Sequence, residues 1–182
     1  MLQHDQSILV VVDFQDTVMP NGEADRGVLV SAAKRLIAGA RILGVPILAT
    51  EQNPEKLGTS ISQIQDALGD APCLSKMAFS AFGEPSVMEV IQATGRSQLV
   101  LTGVETHICV LQSALGALAS GLSPYVVRDG VASLSPASHE AGLARMSAAG
   151  VVLPTVQMVL FEWLGRAGTP EFREALPLLK NP

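Results

Sequence analysis

The stretch Leu99–Ser120, LVLTGVETHICVLQSALGALAS, holds the strongest fold signal in the chain. Gln98–Gly103 is short, apolar and β-branched, and an amphipathic helical pattern takes over from 106 to 120. The reading is strand, turn, helix, with Cys109 in the first helical turn. The first four N–H groups of a helix lack internal partners, and its dipole is positive at that end. A thiol placed there is biased toward thiolate, beside amides able to hold an oxyanion.

The same alternation runs through the rest of the chain. Strands read at 7–13, 45–50, 71–75, 98–103, 124–129 and 151–155, with helices near 27–43, 60–68, 85–95, 106–120 and 136–149. Gly44, Gly95, Gly121 and Gly150 each close a helix just before a strand, as glycines at helix C-termini do. Two further helices, broken at AGTP, close the chain, with Thr169 and Pro170 opening the second. Strands alternating with helices predict an α/β fold, an open parallel six-stranded sheet with helices on both faces. The 182 residues fit a single domain over 1–182.

Composition narrows the function. Hydrophobic residues make up 48% and charged residues 16%, against a usual charged fraction of about a quarter. Such a lean surface favours a homo-oligomer. The net charge of −5, without a basic cluster, argues against nucleic acid as partner. No apolar stretch approaches the ~20 residues that cross a bilayer, and no signal-peptide start precedes Asp13. Two cysteines, Cys73 and Cys109, are too few for a disulfide framework. The expected setting is the cytoplasm, without a membrane partner.

Three chemically capable residues stand at carboxyl ends of expected strands: Asp13 after the first, Lys76 after the third, Cys109 after the fourth. Ligands of open α/β sheets bind outside that edge. A nucleophile, an acid/base group and a cation converging there make a hydrolase set. Singly, each has a plain alternative: Cys109 as a small core hydrophobe, Asp13 as a turn residue, Lys76 as a solvated charge.

With VVVDFQDTVMP, SKMAFSAF, LTGVETHICV and VLFEWLGRAGTPEF in view, the chain resembles the isochorismatase-like cysteine hydrolases over nearly its whole length, the third motif being the most specific. The resemblance implies a Rossmann-like strand order 3-2-1-4-5-6 and an Asp13, Lys76, Cys109 catalytic triad. It also implies a cis peptide at Val104–Glu105, with the backbone amides of Glu105 and Cys109 as oxyanion hole. Implied, too, is a small-molecule substrate, an amide, carbamoyl or related C–N compound cleaved through a thioester. Gln15, Gln52, Phe79, Phe82 and Glu105 are the substrate-binding candidates. Glu105 has a second reading as negative charge at a helix start, and His107 reads as structural. The nicotinamidase branch carries an Asp-x-His metal site after the second strand, where this chain has ATEQNPEKLG. His4, His107 and His139 lack metal-ligand spacing, so neither metal nor organic cofactor is expected.

A non-catalytic binding module or scaffold on the same fold is the alternative. The chain has no G-x-G-x-x-G and no P-loop to cradle a phosphate. A thiol redox role is weaker, since there is no C-x-x-C.

Overall fold

The computed structural model describes residues 1–180. Five parallel strands, β1 (Ser7–Val12), β2 (Ile47–Gln52), β3 (Cys73–Lys76), β4 (Gln98–Val104) and β5 (Ser123–Ala132), form one sheet in the order β3-β2-β1-β4-β5. β1 lies in the middle and is buried throughout. Its alternation sends Leu9 and Val11 to one face and Ile8, Val10 and Val12 to the other, as the two-residue period requires.

Helices cover both faces. α1 (Glu23–Ile42), α3 (Ser62–Leu68), α7 (Val156–Leu164) and α8 (Pro170–Lys180) pack on the Leu9 and Val11 side. α4 (Pro85–Ala93), α5 (Leu111–Ala119) and α6 (Pro136–Ala148) pack on the Ile8 side. A one-turn helix, α2 (Pro54–Leu57), follows β2. The only tryptophan, Trp163 on α7, is buried and donates from Nε1 to Ser7 Oγ at 2.9 Å, a packing role.

The expected sixth strand is a correction. Residues 151–155 run beside β5 and form one bridge, Tyr125 to Val152, without a ladder. Pro154 has no N–H to donate, and Thr155 already turns to cap α7 through its side chain, 3.3 Å from the Met158 amide. The sheet is therefore five-stranded.

Strand order reverses between β1 and β4, which opens a crevice at their carboxyl ends. Gly103 makes this junction possible. Its φ is +131°, and a Cβ there would stand 2.0 Å from the Val12 carbonyl oxygen, so β4 approaches β1 as only glycine allows. The Val104–Glu105 peptide that follows is cis.

Candidate active site

Four strand ends converge on the crevice. β1 hands over to Asp13, which leaves the strand with φ +53°, uncommon outside glycine, while its amide bonds the Thr50 carbonyl at 3.0 Å. β2 ends in Thr50, Glu51 and Gln52, and β3 ends in Lys76. After β4 the chain passes Glu105 into a π-helical turn, Thr106–Val110, which carries Cys109 and runs straight into α5. The expected helix over 106–120 is thus divided into two kinds of turn.

Asp13 and Lys76 are each 1% exposed, and their charged atoms, Oδ2 and Nζ, stand 2.8 Å apart. A solvated Lys76 is thereby excluded. Asp13 Oδ1 accepts from Thr50 Oγ1 at 2.8 Å. The ammonium of Lys76 also has Gln52 Oε1 (2.6 Å), Phe79 O (3.2 Å) and Ala78 O (3.3 Å) in reach, and Gln52 Oε1 and Asp13 Oδ2 are the nearest of these four oxygens. Asp13 Oδ2 is fully buried, with the cation beside it and lone-pair capacity left over. A buried carboxylate oxygen with a free lone pair is poised to accept a proton.

Cys109 is 7% exposed, with Sγ 3.9 Å from Gln52 Oε1. Burial and then the Asp13 charge push its thiol up to about 12, partly opposed by Lys76. This corrects the expectation of a thiolate at the helix start. A helix dipole contributes about 0.3–1 kcal/mol, less than one pKa unit, and burial beside a carboxylate outweighs it. The group at rest is a thiol beside a carboxylate.

The backbone around Cys109 is arranged differently from an α-helix. The Glu105 carbonyl accepts from the amides of Ile108 (3.1 Å) and Val110 (3.2 Å), passing over the Cys109 amide that an α-helical ladder would send there. The Glu105 amide donates to no acceptor among the described residues. α6 braces the turn from behind: a Cβ on Gly142 would stand 2.9 Å from His107 Cα.

The remaining candidates separate. Gln52 is at the centre. Gln15 is buried, with its amide bracketing the Gln52 backbone: Oε1 accepts from Gln52 N at 2.8 Å, and Nε2 donates to Gln52 O at 2.9 Å and Gly58 O at 2.6 Å. Both of its donors are engaged, and Gln15 holds the Gln52 backbone in place. Phe79 is exposed at the mouth, whereas Phe82 is half-buried and leans on α5 beside Gly116. Glu105 is buried and makes no cap to the helix; its Oε2 lies 3.2 Å from His107 Nδ1, which also contacts Ser133 Oγ at 3.0 Å. Thr106 Oγ1 pairs with His139 Nδ1 at 2.9 Å, and burial holds the His139 imidazole below its ordinary range. Cys73 opens β3, exposed and apart; partial burial and then Glu51 raise its thiol to about 11.

Thr50 was not singled out in the sequence. Its signal was present: a hydroxyl inside VPILATEQ, in a strand otherwise apolar up to its end, needs a buried partner. Among the described residues no group of three or more His, Cys, Asp and Glu side chains could hold a metal ion, and no helix is long and apolar enough to cross a membrane.

Comparison with known proteins gives the family. A family model described as the isochorismatase domain matches residues 7–158. Isochorismatase domain-containing protein 2A of Mus musculus is 37% identical over 181 residues, 98% of this chain and 84% of its own. Isochorismatase domain-containing protein 1 of Salmo salar is 33% identical over 154 residues, 85% of this chain; the match spans 54% of that relative's length. Among solved structures, one titled MAR1 ribonuclease from Caenorhabditis elegans superposes with a TM-score of 0.89 at 28% identity, over 98% of this chain and 91% of its own.

Proposed function

The chain belongs to the isochorismatase family, and from that footing we propose that it is a metal-independent cysteine hydrolase of a small amide, carbamoyl or related C–N compound. Asp13, Lys76 and Cys109 are its catalytic residues. The observation that carries the reading is the buried Asp13 Oδ2, 2.8 Å from Lys76 Nζ, beside a thiol held protonated.

In this mechanism Asp13 takes the Sγ proton as the sulfur attacks the substrate carbonyl. The ammonium of Lys76 offsets the charge that appears on sulfur. The amides of Glu105 and Cys109 hold the tetrahedral oxyanion, a contribution of about 10²–10³ in rate per donor. Collapse breaks the C–N bond; Asp13 returns the proton to the departing amine, leaving a thioester on Cys109. Water, deprotonated by Asp13, then releases the acid and the thiol. The sum is amide plus water to acid plus amine. Phe79 and Glu105 stand where they can border the substrate.

A panel of small primary amides and carbamoyl compounds, read by ammonia release with acid-quench mass spectrometry, tests the proposal. An acyl adduct on the Cys109 peptide, lost in Cys109→Ser, is expected. Turnover that survives Cys109→Ser would overturn it. An RNA substrate, which the name of the Caenorhabditis elegans structure raises, is disfavoured by the net charge of −5. Exposed Val28, Val152, Met158 and Phe161 support self-association, and sedimentation checks this.

A further inference from the structure

We infer that Gln52 is a positioning residue that orients the Lys76 ammonium and the Cys109 thiol. The inference rests on the hydrolase reading above and adds a fourth member to its machinery. Lys76 has three protons and four oxygens in reach. Two acceptors are backbone carbonyls, of Ala78 and Phe79, fixed by the chain. The third, Gln52 Oε1, is the closest at 2.6 Å and belongs to a side chain. By taking that proton it fixes the direction of the ammonium beside Asp13 Oδ2. Without Gln52 the ammonium would turn its free proton toward sulfur.

The orientation of Gln52 is set from both ends. Its Nε2 donates to Met77 O at 3.0 Å, so the amide can present only Oε1 to the ammonium. Gln15 fixes its backbone by bonding both N–H and C=O, and Gln15 is itself buried. The same Oε1 lies 3.9 Å from Cys109 Sγ, so its negative dipole end also favours the protonated thiol. Gln52 thus holds the resting state as a neutral thiol beside the Asp13–Lys76 pair. Its chemistry is directed at Lys76 and Cys109.

The test compares wild type, Gln52→Leu and Gln52→Glu by the pH dependence of iodoacetamide alkylation, read separately on the Cys109 and Cys73 peptides. Both substitutions lose the Met77 bond, so a purely structural role moves both the same way. Leucine removes the oxygen that opposes the thiolate and frees an ammonium proton for it. The Cys109 thiol then titrates roughly one unit lower, and alkylation at pH 8 rises about threefold once the weaker nucleophilicity of the lower-pKa thiolate is deducted. Glutamate adds negative charge beside sulfur, and alkylation falls by about the same factor. Cys73, on the far end of β3, keeps its wild-type profile in both. Opposite shifts at Cys109 support the inference; shifts in one direction, or none, overturn it. Asp13→Asn separates the two levels. If it too leaves the Cys109 profile unchanged, the hydrolase wiring fails; if it alone shifts the profile, only the role of Gln52 falls.

Discussion

Replacing Asp13 with asparagine should make Cys109 easier to alkylate while abolishing hydrolysis. The thiol is held protonated by burial and by the Asp13 charge, and Lys76 pulls the other way. Asparagine keeps the shape, removes the charge and leaves Lys76 with its three acceptors at 2.6, 3.2 and 3.3 Å, so the cation persists. Two unit charges ~4 Å apart at an effective dielectric of about 20 interact by about 4 kcal/mol, so the Asp13 charge opposes the thiolate by at most about three pKa units. Taking two of these, the thiolate fraction at pH 8 rises about 100-fold. Its nucleophilicity falls about tenfold, so alkylation accelerates about tenfold. The assay is timed iodoacetamide quenching with peptide mass spectrometry, alongside turnover of whichever amide the panel identifies. Breaking a buried pair costs about 3–5 kcal/mol, so melting is followed in parallel. Cys73 is followed alongside: Asp13 is the smallest of the influences raising its thiol, so its alkylation changes less than that of Cys109 unless the protein unfolds. Equal or slower alkylation of Cys109 in a folded Asp13→Asn variant would refute the assignment of Asp13 as the charge that holds the proton.

Thr50→Val removes the 2.8 Å bond to Asp13 Oδ1; a loss of about 1.5–3 kcal/mol in chemical denaturation and reduced turnover are expected. Gly103→Ala forces a Cβ to within 2.0 Å of the Val12 oxygen at φ +131°, and should destabilise by about 3 kcal/mol or fail to fold, read by Tm. Gly142→Ala meets His107 Cα at 2.9 Å; a retained fold with slowed Cys109 acylation is expected, because the π-helical turn shifts by a few tenths of an ångström. The Cys109 thiol moves from an ordinary 9.0 to about 12 on folding, so the folded state holds its proton longer. Stability is unaffected below pH 9 and falls as pH rises toward 12, by about 1.4 kcal/mol per pH unit. Denaturation at pH 8 and 10 should show wild type losing about that much more than Cys109→Ala, and equal losses would contradict the shift.

Most of the architecture was legible because apolar runs and helix-ending glycines repeat in register along the chain. The positions of Asp13, Lys76 and Cys109 followed from that pattern, since each stands where a strand gives way to a loop. What escaped was set by single atoms. Pro154 carries no amide, and so VVLPT makes a bridge where a strand was expected. Gln15 and Gln52 both read as pocket residues, and only the structure shows Gln15 bonding the Gln52 backbone while Gln52 Oε1 meets the Lys76 ammonium. The thiol's titration depends on its depth, which a helix-start position in the sequence does not reveal.

Lys76 is the last residue of β3, a four-residue strand at the edge of the sheet, and its ladder partner on β2 is Gln52 itself. The site's cation therefore hangs on the part of the sheet with the fewest backbone bonds to lose. Fraying there, at little expense to the core, would carry the ammonium into water and strand Asp13 as a lone buried charge. On the role proposed for Lys76, activity is expected to be lost on warming before the fold collapses.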